Sequence, residues 1–459
     1  MPKARAARRD RRTLTTVLIW IGAYSGLAVL VFFCAWLRFP NFLGGCVDYA
    51  ERPYYALIDY YSPPLHPDLR VIHIKDFPDG NARLIWRKRH AVLLRALAEA
   101  GARVVAFDIT FDQASEYDTD FVAAIQDAGK TRIVLGYLPL PTPHNISANL
   151  GPALRPDFVE LGSVRVASQT ADHGKTAPRR LVVLAHGDPG PPVSLEPTFP
   201  LQVKLAWERA KRDHAIRALP DLARGQLNLV DAGILVDSVP SEFSIENNDV
   251  KHTLRASFFS QRIPPTTLEE ASEEYSVVEE SINTGQRVNL EKYKDKVVLI
   301  GADVAEDRVH PVESSEETYG YAIHAGIINA LLSGKYPHHA GIAAQAALLF
   351  LLGLSAGVGG AMIPAGARPV PVPFMGKEVQ LPLTLIVMIG VYVAAAVELF
   401  ATAQLILDPV YNVASLIAGY YLSGFLPGGQ RVAVTQAKAA ASNASSRAGK
   451  SGKGRNDAS

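Results

Sequence analysis

The sequence predicts an α/β extracytoplasmic domain, with a mainly parallel sheet and helices on its faces, held by four transmembrane α-helices. Three observations lead there. An uncharged apolar run, Leu14 to Leu37, precedes a long stretch of mixed polarity, and three further apolar runs follow it, Ala340 to Pro364, Leu381 to Val397 and Val410 to Leu426. Within the stretch, patterns of strand and helix period alternate. Strand–helix–strand order needs crossover connections, and crossovers imply parallel pairing.

The apolar runs come first. A bilayer core needs about 20 apolar residues in helical form, so each run is a candidate span. Lys3, Arg5, Arg8, Arg9, Arg11 and Arg12 precede the first run, with Asp10 the only acid; Arg431, Lys438, Arg447, Lys450, Lys453 and Arg455 follow the last. Basic flanks resist translocation. Both ends are therefore expected in the cytoplasm, and the middle stretch outside. The loop from Ala365 to Gln380, with Arg368 and Lys377, then falls inside, and the turn at Asp408 outside. The resulting division is a basic N-terminus over 1–13, a span over 14–37, the outer domain over 38–339, three spans over 340–427 and a basic, disordered tail over 428–459. The small residues of that tail cannot bury a core.

The first run is longer than a secretory signal core and lacks an A-x-A site, so a retained anchor is expected. Leu43-Gly44-Gly45-Cys46 resembles a lipobox, but Arg38 to Asn41 separate it from the apolar run. Cys34 and Cys46 are the only cysteines, too few for a disulfide framework or a zinc site. Net charge is +1, which gives no footing for nucleic acid. Asn145-Ile146-Ser147 is a glycosylation triplet without meaning in a bacterial source.

Inside the outer domain, Leu69 to Asp76 alternates apolar and polar residues and stops at Phe-Pro-Asp-Gly, which predicts a strand. Trp86, His90, Leu93, Leu94 and Leu97 recur at helical spacing, and Gly101 closes that helix. Arg103 to Asp108 reads as a second strand. Asp118 or Thr119 is placed to cap a short helix carrying Phe121, Val122 and Ile125, and Arg132 to Gly136 reads as a third strand. The pattern returns at Lys296 to Gly301, an unbroken apolar strand of the kind buried on both faces. A helix over Ala322 to Ser333 follows, stopped by Gly334. Between Pro139 and Lys294 the chain is punctuated by Pro and Gly, with one clear helix over Leu201 to Arg217, candidate strands at Leu181 to Ala185 and His252 to Ser260, and an acidic stretch from Glu269 to Glu280. No repeat is visible, and this region reads as an elaborated second half of the same domain.

These segments resemble a known family. RVIHIKD, the helix ending in LLRALAEAGARVVAFDITF, the Phe-Pro before an amphipathic helix, and YKDKVVLIGADVAEDRVHP with YAIHAGIINALLSGKY are similar to the second-type CHASE sensor domain, the extracytoplasmic module of bacterial cyclases and kinases. The similarity runs from about Cys46 to Tyr336, and a block of three spans is also typical of the family. Two departures stand out. The family's WPWPR-like stretch keeps only Trp86 and its neighbouring arginines, and Tyr319-Gly320-Tyr321 replaces a Pro-Gly. The resemblance implies a sensor, often dimeric, and here a stand-alone one without a fused effector.

In open α/β sheets ligands sit beyond the carboxyl ends of the strands. Those ends carry Asp76, Asp108, Asp112, Asp303 and Asp307, with His310 and His324 nearby in sequence. Converging carboxylates suit a hard cation or the hydroxyl and amine groups of a small polar ligand. They equally suit helix capping, loop amides and pairing with Arg87, Arg89 or Arg308. Whether a metal binds stays open, and no cofactor is expected. No Ser-His-Asp set, phosphate loop, HExxH or paired-cysteine motif is present, so no enzyme is expected. The expected function is an inner-membrane sensor that recognises a small molecule or envelope signal and relays it to a separate signalling partner. The alternatives are an envelope scaffold built on a degenerate sensor and, more weakly, a metal-dependent hydrolase using Asp76, Asp108 and Asp112.

Overall fold

The computed structural model describes residues 64–137, 159–164, 169–185, 196–259, 268–304, 318–362 and 369–423, with short gaps inside several of these runs, and isolated positions at 19, 22, 23, 26 and 308. The chain forms two compact units: 55–338 is one, and the remaining residues on either side are the other. Most of the first span, Cys34, Cys46, Asn145, both basic termini and the site candidates Asp76, Asp307 and His310 lie outside the described residues.

In the first unit the main elements are β1 (Leu69–Ile74), α1 (Ala82–Glu99), β2 (Val104–Thr110), α2 (Asp118–Asp127), β3 (Arg132–Tyr137), β4 (Val159–Ser163), α3 (Phe199–Arg212), β5 (Arg217–Asp221), β6 (Gln226–Asp231), β7 (Ile234–Pro240), β8 (Ser272–Glu274), α4 (Tyr275–Asn283), β9 (Val297–Ala302) and α5 (Gly320–Ser333). Six strands make one sheet in the order β8-β1-β9-β2-β3-β4, and every pairing in it is parallel. The central strand β9 is buried at all of its positions, as its unbroken apolar sequence requires.

Alternate residues of these strands feed two cores. Ile72, Val105, Phe107, Ile133, Val298 and Ile300 face α1, α2 and α4, meeting Leu94, Leu97, Phe121 and Tyr275. Leu69, Val71, Val104, Ala106, Val134, Val297 and Leu299 face α3 and α5, meeting Phe199, Val203, Trp207 and Ile328. Each such buried aliphatic side chain stabilises the fold by about 1.5–3 kcal/mol against its exposed state. The outward sides of α3 and α5 are covered in turn by the antiparallel meander β5-β6-β7, through Leu227, Leu229 and Val239. Arg180–Val182, Glu242–Asn248 and Lys251–Phe259 form a further antiparallel sheet.

The expected helix over Leu201 to Arg217 begins two residues earlier and ends at Arg212, because Ile216 is needed in the core beneath the meander. No side chain caps α2; its N-cap is Tyr117, and the Asp118 carboxylate is used elsewhere. The stop after α1 forms as a Gly-terminated cap, with Gly101 at φ 82 and the Ala102 amide reaching back to Leu97 O at 2.9 Å.

In the second unit, α6 (Ile342–Met362), α7 (Leu383–Ala403) and α8 (Pro409–Ser423) fall in the three C-terminal apolar runs. Among the described residues two helices are long and apolar enough to cross a membrane, Ala343–Gly360 and Leu383–Ala403. Four were expected. Asp408 accepts from the Val410 amide at 3.1 Å and Pro409 opens the helix, which fixes where α8 starts. Its 15 described residues rise only about 22 Å, short of the roughly 30 Å bilayer core. A polar chain ties the three helices: Gln345 donates to Asn412 at 2.9 Å, and Asn412 donates to the Tyr392 hydroxyl at 2.9 Å. The loop expected between the first two C-terminal runs is an antiparallel hairpin of Pro369–Phe374 with Lys377–Pro382.

Candidate functional site

The order of the sheet creates the site. β9 lies between β1 and β2. After β1 and β2 the chain leaves to the face of α1 and α2, whereas after β9 it leaves to the face of α5. Connections diverging on either side of a strand open a crevice beyond its carboxyl end, where α/β proteins place ligands.

The acids predicted there do not act as one group. Asp108 pairs in register with Gly301, and strand alternation puts it on the α5 face with its neighbour in phase, Ala106. Asp303 follows β9 and is fixed by its amide, which donates to Ile74 O at 2.9 Å. Gly301 faces Tyr321 so closely that a Cβ would stand 2.3 Å from Tyr321 Cβ, so only glycine lets α5 reach the sheet here. Asp112 lies past the end of β2, on the opposite face, in a cleft with Phe77, Arg83, Arg87, His90 and Thr110. Among the described residues no three His, Cys, Asp or Glu side chains are grouped to hold a metal.

His324 is used in a different contact. It is buried, its Nε2 lies 3.2 Å from Val164 O, and its ring meets Phe199 edge-on at 5.5 Å. That contact ties α5 to the chain after β4.

The cleft itself is built by α1. Arg87, buried at 4 % exposure, pairs with the buried Asp118, donates to Gln113 O at 3.0 Å and lies over Phe111. Asp118 also accepts from the Ser115 amide at 3.0 Å, and Ser115 Oγ donates to Leu84 O at 2.9 Å. These bonds lock the loop after β2 onto the first turns of α1. Burial pulls the Arg87 pKa down, and Asp118 and Asp112 act against that fall.

One turn on, His90 is buried among Trp86, Phe107, Phe111 and Tyr275, with ring centroids 5.5 to 6.3 Å away. Its Nδ1 is 3.4 Å from the Tyr275 hydroxyl. Burial, then the fields of Arg87 and Arg89, lower its pKa to about 3, so the ring is neutral at physiological pH. Arg89 is held by Glu279 at 2.8 and 2.5 Å and stacks on Trp86 at 3.7 Å, which fastens α4 to α1.

The sequence reading placed Trp86 and His90 on the packed face of α1 and offered Arg87 and Arg89 as partners of the strand-end acids. Their observed partners are Asp118 and Glu279. The role of His90 was missed; the signal was a histidine at helical spacing with Trp86, three residues after an arginine. The cleft has room for about one water molecule; the empty space of about 300 Å³ in and around it includes open solvent.

Comparison with known proteins gives one family. The CHASE2 domain matches residues 54–361, which takes in the first unit and nearly all of α6. No curated protein and no solved structure matches the chain significantly. With two thirds of its length matched by that sensory domain, the chain belongs to the CHASE2 domain family.

Proposed function

We propose that the protein is a non-catalytic membrane sensor. Its CHASE2 domain stands outside the inner membrane, in the periplasm of a bacterium, and receives a small polar molecule or envelope signal at the carboxyl edge of the sheet. The C-terminal helices hand the resulting state to a separate signalling protein. The observation that carries this reading is the family match, because it joins a sensory domain to the first apolar helix after it. The crevice beside β9 at the carboxyl edge of the sheet supports reception there. The basic flanks at both ends support cytoplasmic termini and four spans.

Two measurements test it. A reporter active only outside the cytoplasm, inserted at the exposed Ala232–Gly233 turn, should be active, and one fused after Ser459 should not. Thermal unfolding of the intact protein against a panel of small polar metabolites should show a rise in Tm for at least one. The reverse topology would sink the reading. A protein that binds none of the panel and co-purifies stoichiometrically with envelope proteins would instead be the scaffold.

A further inference from the structure

The turn between α7 and α8 carries a half-buried carboxylate that holds a helix end. Asp408 accepts from the Val410 and Tyr411 amides at 3.1 and 3.3 Å, so its side chain caps α8. It thereby pairs two of the amides that a helix start leaves without partners. The Asp408 carbonyl accepts from the Asn412 amide at 3.2 Å and from the Tyr392 hydroxyl at 3.4 Å. Tyr392 accepts in turn from Asn412, and Asn412 from Gln345, so one chain of bonds joins the turn to α7, α8 and α6. The stretch that enters α6 is tied to the same turn, the Ala340 amide donating to Ile406 O at 3.1 Å. Asp408 therefore caps one helix at a point where all three are linked.

The strength of that cap depends on charge. Amide dipoles at a helix start favour a carboxylate over a neutral acid, and bonds to the ionised group are the stronger ones. Burial pushes the Asp408 pKa up to about 6, and the two amide bonds act against the rise. Among the described residues no charged side chain takes part in that shift. The titratable groups near it are Tyr392 of α7 and its chain neighbour Tyr411 of α8, while α6 brings the neutral Gln345. His338 and His339 precede Ala340 in the chain, and free histidine titrates at about 6.5.

We propose that Asp408 is a proton-operated latch, which frees the start of α8 when the space outside the membrane turns acid. The proton adds to a carboxylate oxygen, and no other covalent bond forms or breaks. With the charge gone the amides lose their stronger acceptor, and the first turn of α8 loosens beside the stretch entering α6. The sensor gains an input besides its outer domain. The proposal rests on the sensing reading only in placing this turn on the outer side.

The test is amide hydrogen exchange of the full chain in lipid nanodiscs between pH 7.5 and pH 5, with rates corrected for their intrinsic pH dependence. Protection of Val410 to Asn412 should fall by about fivefold or more, with its midpoint near pH 6. Asp408→Asn keeps an acceptor but cannot ionise, and should remove the step. Asp408→Ala should leave the segment weakly protected at every pH. Replacing His338 and His339 together by Gln should leave the step in place. A wild-type protein without the step, a step that survives in Asp408→Asn, or one that disappears with the two histidines would overturn the latch. Wild type and the histidine variant decide the matter even if Asp408→Asn fails to fold. Reversed reporter topology would refute the sensor reading and the outer acid signal with it, whereas a missing step would refute the latch alone.

Discussion

His90 is a buried residue whose protonation departs far from its ordinary state. A histidine neutral to about pH 3 in the folded protein titrates near 6.5 when unfolded. The folded pKa is the depressed one, so its contribution is fully present above pH 6.5 and is lost as pH falls from there toward 3. Stability should therefore fall by up to about 1.4 kcal/mol per pH unit through that window on account of this group. Urea unfolding of His90→Gln at pH 7 and pH 5 should show a visibly smaller difference than wild type; an unchanged difference would assign the pH dependence elsewhere. The neighbouring ion pair gives a second prediction. Replacing Asp118 by Ala leaves the buried Arg87 charge without its partner, a loss expected to cost about 3–5 kcal/mol. Replacing both by apolar residues should recover part of it, and chemical denaturation of the three variants measures the difference.

At the scale of elements, the contacts that fix the sheet edge and the helical unit are backbone approaches that a single methyl group would obstruct. Gly301→Val drives a branched side chain into Tyr321 and should separate α5 from β9, costing about 1–3 kcal/mol or more. Tyr321→Ala in the same chain should relieve part of the loss in thermal melts. Gly419 sits so close to Gly353 that a Cβ there would lie 2.3 Å from its carbonyl oxygen, the small-residue contact that lets apolar helices pack tightly. Gly419→Leu should push α8 off α6 and lower the melting temperature of the intact protein; an unchanged melt would contradict this contact. How far such elements were legible depended on their periodicity. β1, β2, β3, β9, α1 and α5 declared themselves through alternation, apolar runs and glycine stops. β8 did not, because Ser272-Glu273-Glu274 has no apolar residue and pairs only as an edge beside β1. The acidic stretch that contains it, Glu269 to Glu280, suggests no element by its pattern, yet it supplies Tyr275 to the core and Glu279 to Arg89. The strand-end acids were found by topology alone. Their division between the two faces needed the sheet order, which no local pattern contains, and the Arg87–Asp118 pair joins residues 31 positions apart.

For the whole molecule, the family match and the divergence of connections around β9 describe a receiving domain joined in sequence to apolar helices. The cleft on the α1 face is closed down by the loop after β2, through Arg87, Ser115 and Asp118. Under the proposed sensing function, reception at this edge of the sheet should change how firmly that loop is held on α1. Amide hydrogen exchange of the full chain in lipid nanodiscs, with and without a ligand found by thermal shift, reads this directly. Slower exchange should appear in the segments around Arg83 to His90 and Ile109 to Asp118, together with a change in α6. Protection confined to any other part of the chain, or none at all with ligand bound, would contradict the account.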